Sequence, residues 1–365
     1  TRKPEVPSAI IETLSHQNFA DMRRALDPNF RFTLARSLYK TILRYVNGNH
    51  SLACVVQPLP VGNFRIVRTA DNQLQLSWLP VTDRLEPSAV PTTYNIYIAE
   101  GRNGFDNGRS VEGTSFTFTP KPNVVYQFRV TAVNRGGESF PSTTLAACVS
   151  AQAGARDVLV VDGFTRFAGP AVVDDGTRQG FDLDTDMGVS LGINAGFVGR
   201  QIDFDRTRVG SEGPGALGYC EDELAGKFVM GKQQNESVCH VADIALSGAY
   251  NVVSSSVEAV ENGFVKLENY RVVDIMFGLQ KDDGYSLVRY KTFSALLRKA
   301  LESYVRGNGR VFVSGAYVAS DMQLDAERSF MSNLFKVGFG GQNTNIATNL
   351  VDGLGISFDI IRRPN

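Results

Sequence analysis

Between Pro60 and Val149 apolar side chains recur largely at every second position, in short segments separated by turn residues. Leu74, Leu76 and Trp78 form one such segment. Tyr94, Ile96 and Tyr97 form a second, Phe116 and Phe118 a third, and Tyr126, Phe128, Val130 and Ala132 a fourth. A period of two sends alternate side chains to opposite faces of a strand, so each segment buries one face and wets the other. Several such segments at this spacing predict an all-β sandwich over residues 60–150. By the same alternation the aromatic rings point inward, as core rather than as a sugar-binding surface.

Trp78, the one tryptophan of the chain, falls in the second strand, and Tyr126-x-Phe-x-Val-x-Ala-x-Asn-Arg-Gly-Gly-Glu-Ser closes the pattern. The segment resembles a fibronectin type III domain. The resemblance implies that Trp78 is the core aromatic and that Tyr126 is a corner tyrosine whose hydroxyl ties a loop to the backbone. It also implies a module that spaces its neighbours in a secreted protein, and so an extracytoplasmic location, periplasm or cell surface. Cys54 and Cys148 bracket this domain; the ends of a sandwich lie at opposite poles, so these two are not expected to pair. Cys220 and Cys239 could meet, but no CxxC or Cys/His cluster points to metal or redox chemistry, and all four read as small buried hydrophobes.

Residues 155–365 carry a different pattern. Asp157-Val-Leu-Val-Val-Asp-Gly, Tyr250-Asn-Val-Val-Ser and Val272-Val-Asp-Ile-Met-Phe-Gly read as buried parallel strands. Ser254 to Gly263 reads as a short capped helix. Phe293 to Val305 reads as a longer one, with Leu296, Leu297, Ala300, Leu301 and Tyr304 inward and Gly307 and Gly309 ending it. Strands alternating with helices predict a doubly wound α/β sheet, whose ligands sit beyond the carboxyl ends of the strands. Those ends present Asp162, Ser254, Gly278, Ser314 and Asp321, of which Asp162, Ser254, Ser314 and Asp321 are the candidate binding residues. The Ser314-Gly-Ala-Tyr turn resembles the nucleophile elbow of the class I glutamine amidotransferase-like fold, whose working members carry Cys inside G-x-C-x-G. No Cys stands near residue 315 and no His follows it, which implies a non-catalytic domain unless Ser314 finds a base elsewhere.

Two further stretches invite a ligand. Asp182, Asp184 and Asp186 occupy the first, third and fifth places of a calcium loop, but Met187 and Ile193 stand where that loop needs Gly and Glu. They leave at most a looser calcium site, against a solvated acidic loop. Gly210-Ser-Glu-Gly-Pro-Gly-Ala-Leu-Gly lacks the Lys-Ser/Thr of a phosphate loop, and its glycines read as tight turns.

At the N-terminus an apolar run ends in one acid, as Ala9-Ile-Ile-Glu12-Thr-Leu-Ser-His-Gln-Asn18. Asp27 and Pro28 then start a helix with Leu34, Ala35, Leu38, Ile42 and Tyr45 at helical spacing. Residues 1–50 resemble the closing α/β segment of the zinc-dependent N-acetylmuramoyl-L-alanine amidases, through Ile10, Ile11, Glu12, Leu14, Asn18, Asp27 and Pro28. Ser15 and His16 depart from that family's small and apolar residues. The resemblance implies a strand carrying a catalytic Glu12, which assists a zinc-bound water in hydrolysing peptidoglycan. Zinc needs three protein ligands, and His16, His50 and His240 form no such group. The chain therefore reads as starting inside a domain, with the zinc ligands elsewhere in the parent protein.

The three pieces together make a multidomain chain and resemble a group of bacterial surface proteins labelled xanthan lyase, many of which contain an amidase domain. Val313-Ser-Gly-Ala-Tyr-Val-x-Ser-Asp-Met and Gly353-Leu-Gly-Ile-Ser-Phe-Asp carry that match with the Gly210 stretch. Of 365 residues 43% are hydrophobic and 21% charged, with net charge −1. Without a basic cluster this argues against nucleic acid as a partner, and no apolar run is long enough to span a bilayer. The expected function is part of a secreted or periplasmic peptidoglycan amidase, with the later domains positioning it or binding glycan. The alternatives are a non-enzymatic module that binds surface polysaccharide or protein, and a polysaccharide lyase. Ile356-Ser-Phe-Asp-Ile-Ile reads as a last strand without the helix expected after it.

Overall fold

The computed structural model describes residues 7–176, 178–196, 219–340, 350–353 and 356–359, with single positions 199, 204, 212, 213 and 216 between them. The Gly210 stretch therefore lies largely outside the described residues. The first eight strands are β1 (Gly62–Arg68), β2 (Leu74–Leu79), β3 (Thr93–Glu100), β4 (Arg109–Val111), β5 (Ser115–Phe118), β6 (Tyr126–Asn134), β7 (Gly137–Glu138) and β8 (Leu145–Ala147). They form two antiparallel layers, β1-β2-β5 against β4-β3-β6-β7, with β8 on the edge of β6. Phe64, Ile66, Leu74, Leu76, Trp78, Ile96, Phe128 and Val130 are all buried between the layers, as the period of two requires. The Trp78 ring meets Tyr94 edge-on at 5.5 Å. Tyr126 Oη receives a long bond from the Lys121 amide at 3.4 Å, tying the loop five residues upstream.

The remaining strands are β9 (Arg156–Asp162), the hairpins β10–β11 (Ala171–Asp174 and Gln179–Asp182) and β12–β13 (Ile193–Asn194 and Val229–Met230), then β14 (Tyr250–Ser256), β15 (Val272–Met276), β16 (Arg310–Ser314) and the hairpin β17–β18 (Leu350–Gly353 and Ile356–Asp359). Strands β14, β9, β15 and β16 lie side by side in that order, all parallel. Two helices open the chain, α1 (Phe19–Ala25) and α2 (Pro28–Asn49). One face of the parallel strands is covered by α3 (Glu236–Ala245), through Val241 against Val160 and Val252. The other is covered by α4 (Val257–Glu261) and α5 (Ala295–Arg306), through Leu297 and Leu301 against Leu159, Val161, Val273 and Ile275. A short helix, α6 (Asp325–Phe330), seals this core through Phe330 on Phe293. Leu296, expected inside, is 56% exposed. The inner stripe of α5 runs through Leu297, Leu301 and Tyr304 and turns Leu296 to solvent.

The expected boundary near residue 150 falls inside one continuous sheet. β1 pairs antiparallel with β14 at Arg65 and Ser255, and Cys148 exchanges two backbone bonds of 2.8 Å with Val252, giving the order β16-β15-β9-β14-β1-β2-β5. The core is continuous as well, with Trp78, Leu159 and Leu297 in one cluster. The outer edge of β14 would otherwise present unpaired N–H and C=O groups, and the sandwich covers it. Ser254, expected at a strand end, is instead fully buried in mid-strand: its hydroxyl donates to Ala146 O at 2.7 Å and accepts from Ala146 N at 2.8 Å. The helix cap falls two residues later, on Ser256.

Replacing Ser254 by Ala strands two buried backbone groups of Ala146 and should cost about 1–3 kcal/mol in chemical denaturation. Because sheet and core are shared, Trp78 fluorescence and far-UV circular dichroism should report one coincident transition. Two separated transitions would contradict the continuous core.

Candidate functional site

The chain direction across the sheet reverses between β9 and β15, since β14 lies beyond one of them and β16 beyond the other. In open α/β sheets the crevice at such a reversal is where ligands bind. Here it is filled by the protein itself. Gln280, after β15, accepts from the amides of Thr165 and Arg166, after β9, at 2.9 and 2.8 Å. Gly163 and Gly315 admit Phe277, whose atoms would lie 2.7 and 2.8 Å from a Cβ at either position.

Above these contacts lies a buried ion network. Arg166, fully buried, donates to Asp186 at 2.6 Å and to Leu279 O at 3.1 Å, and lies 3.6 Å from Asp283. Lys281 reaches Asp186 at 2.7 Å. Burial alone would raise the Asp186 carboxyl, but the charges of Arg166 and Lys281 hold it below the usual carboxylate range. The Asp186 carboxylate is thus engaged by Arg166 and Lys281, while that of Asp182 caps the amides of Asp184 and Thr185 at 3.0 and 3.2 Å. The three acids do not converge on a calcium ion. Among the described residues no three His, Cys, Asp or Glu come together in a metal-binding group.

The other sequence candidates are dispersed. Asp162, at the end of β9, is buried and caps Phe164 N at 3.1 Å while receiving the Thr143 hydroxyl at 2.7 Å. Asp321, also buried, accepts from the amides of Asp282 and Thr292 at 3.0 and 2.8 Å and so pins the loop after β15. It also lines a groove of about 380 Å³ with Lys281, Tyr285, Tyr317 and Gln323, beside a second of about 360 Å³. Ser314 closes β16 and is half-buried. The acid–base pair nearest in character is His240 on α3, whose Nδ1 lies 2.7 Å from the Asp274 carboxylate in mid-β15. No hydrogen bond joins His240 to Ser314 among the described residues, so nucleophile and base are not connected. Neither Arg166 nor Asp274 stood out in the sequence, because one Arg after a strand and one Asp inside it carry no spacing signal.

Glu12 lies in no strand. Residues 7–15 form neither helix nor strand, and Ile10 is 84% exposed. No described strand runs beside this segment to supply the backbone partners a strand needs. The helices after it are firmly placed. Asp27 caps α2 through Asn29 N at 2.8 Å and accepts from Leu287 N at 2.9 Å. Asn29 donates to Phe167 O and to the Tyr290 hydroxyl, both at 3.0 Å. Arg36 pairs with Asp83 at 2.8 Å and donates to Gln57 O, so α2 bonds both to the loops beyond the parallel strands and to the sandwich. Nothing on α2 is fully buried, and Ile42 and Tyr45 are largely exposed. All four cysteines are free, Cys239 exposed and Cys220 half-buried. No described helix is long and apolar enough to cross a membrane.

Removing the Arg166 charge while keeping its bulk, as Arg166→Met, leaves Asp186 and Asp283 less compensated and should cost about 3–5 kcal/mol in urea denaturation. The His240 bond to Asp274 raises the imidazole above its ordinary value, against the opposing effect of burial. A raised folded-state value means stabilisation present below about pH 6.5 and lost as pH rises through the folded value. Titration of the His240 ring proton by NMR should show this, and Asp274→Asn should lower the midpoint.

Comparison with known proteins agrees for the sandwich. Residues 59–147 match the family described as fibronectin type III domain. Among solved structures, the twitchin kinase region of C. elegans is 26% identical over 26% of this chain and 17% of its own, with TM-score 0.22. The fourth such domain of a human protein is 23% identical over 28% and 87%, with TM-score 0.25. The FN5 domain of Drosophila Lar is 18% identical over 25% and 96%, with TM-score 0.20. No curated protein matches the chain. The chain is thus multidomain, and residues 59–147 are a fibronectin type III domain.

Proposed function

We propose that residues 60–365 are a non-catalytic platform in an extracytoplasmic protein, and that residues 7–49 belong to a peptidoglycan amidase domain which that platform holds. The carrying observation is the anchorage of α2: Asp27, Asn29 and Arg36 bond to both parts of the platform, while Ile10, Ile11, Ile42, Tyr45 and Val46 face outward. An apolar stripe fixed in place and left uncovered suits a helix that also packs into a domain of its own. The parallel strands with helices on both faces support the doubly wound reading of residues 155–365. Its filled crevice, with Ser314 unconnected to a base, supports a domain without chemistry of its own.

In this reading the zinc ligands lie outside the described residues, which gather no suitable donor set. Glu12 supplies the carboxyl that carries a proton to the leaving nitrogen. A lyase reading has less support, because β-elimination needs a uronate carboxyl to be neutralised, and the cations lining the grooves at Asp321, namely Lys281, Arg289 and Lys291, are already paired with carboxylates of the protein.

The natural full-length protein should bind zinc and release stem peptides from purified peptidoglycan. Glu12→Gln should lower that rate by about 10²–10⁴-fold while leaving the circular dichroism spectrum unchanged. Absence of both zinc and release would sink the amidase reading and leave a binding module.

A further inference from the structure

The groove of about 380 Å³ beside Asp321 is walled by residues that also fasten the loops, and its size lies within the range of small-ligand sites, about 300–1,000 Å³. It opens at the carboxyl ends of β15 and β16 and adjoins the second groove of about 360 Å³ through Asp282, Asp283, Asp321 and Gln323. Its charged groups are engaged. Asp321 serves the amides of Asp282 and Thr292, and Asp283 those of Tyr285 and Ser286, at 2.8–3.1 Å. Lys281 is held by Asp186 at 2.7 Å, and its Nζ lies 4.5 Å from the centre of the Tyr317 ring. The polar groups left without a protein hydrogen-bond partner among the described residues are the hydroxyls of Tyr317 and Ser320. The Gln323 amide adds only a 3.4 Å bond to Ser320 O.

Three aromatic rings, Tyr285, Tyr317 and Phe339, two hydroxyls and an amide, with carboxylates outnumbering the one engaged lysine, suit an uncharged polyhydroxylated ligand. Rings stack on the apolar faces of sugars, and the hydroxyls and amide pair with sugar hydroxyls. A polyanion would meet Asp282, Asp283 and Asp321, while the neighbouring cations Lys281, Arg289 and Lys291 are each already engaged by a carboxylate of the protein. Location adds the second argument. The Tyr285 ring, on the wall of this groove, is approached by Arg23 of α1 at 6.0 Å, and α1 begins at Phe19, seven residues beyond Glu12.

We propose that this groove binds a neutral glycan strand and holds it beside the domain that carries Glu12. The proposal rests on the amidase reading for its purpose, but binding is measured without catalysis. Chitotetraose, an uncharged N-acetylglucosamine tetramer, titrated into the full chain by calorimetry should bind saturably, and tetragalacturonate should bind at least tenfold more weakly. Tyr317→Ala should weaken chitotetraose binding about tenfold, the ring's stacking contribution; Tyr317→Phe should retain most of it; Gln323→Ala should weaken it several-fold. Unchanged Trp78 fluorescence would show that the variants fold. Failure of the wild-type chain to bind chitotetraose overturns the proposal, as does binding indifferent to Tyr317→Ala and Gln323→Ala or a preference for tetragalacturonate. Binding by the groove with no stem-peptide release by the natural full-length protein overturns the role of Glu12 alone.

Discussion

The outer edge of β14 is the constraint on which everything else rests. It is met by two elements of the sandwich, Cys148 through paired backbone bonds and β1 through Arg65, and locked by the Ser254 hydroxyl on Ala146. Side-chain bonds reinforce the seam: Arg68 grips Asp157 at 2.8 Å, and Glu258 accepts from Asn63 N at 2.8 Å. A fibronectin type III domain ordinarily reads as a bead joined to its neighbours by a linker. Here its sheet is part of the neighbour's sheet, so the orientation of the two is fixed by a ladder of hydrogen bonds.

That rigidity gives α2 something to stand on. One end of the helix is held by the loops after β9 and β15, through Phe167, Leu287 and Tyr290, and its middle by Asp83 and Gln57 of the sandwich. Were sandwich and parallel strands free to swing, those two sets of bonds would compete. The buried Arg166 network acts in the same direction at the crevice, because parting the loops after β9 and β15 would expose an arginine and two aspartates that now compensate one another. What an α/β sheet usually keeps open for a ligand is here used as a fastening.

The legible parts of the sequence were those whose signal is local. Alternation over Leu74–Trp78 and Tyr126–Ala132 gave the sandwich, and the short apolar runs gave β9, β14 and β15. The Asp27-Pro28 pair marked the start of α2 to the residue. The features that stayed hidden depend on partners distant in the chain. Ser254 looks in sequence like any hydroxyl at a strand end, and only the approach of Ala146, 108 residues earlier, makes it a structural lock. Asp186 sat in a calcium-like spacing, but Arg166 and Lys281 claim it. Leu296 fits a helical stripe, and a rotation of one position puts it in water. Of the four candidate binding residues Asp321 lines a groove of the size a small ligand needs, and there it acts as an anchor for the walls.

The shared sheet also bears on how such a protein can be cut or recombined. In this chain, separating residues 59–147 from the parallel strands would uncover β14, with Val252, Val253 and Ser254 buried in the intact protein, and leave a hydrophobic strand edge open to any other chain. A fragment made that way would be prone to self-association. The seam that fixes the two parts therefore also makes each the cover of the other, because neither edge is finished alone.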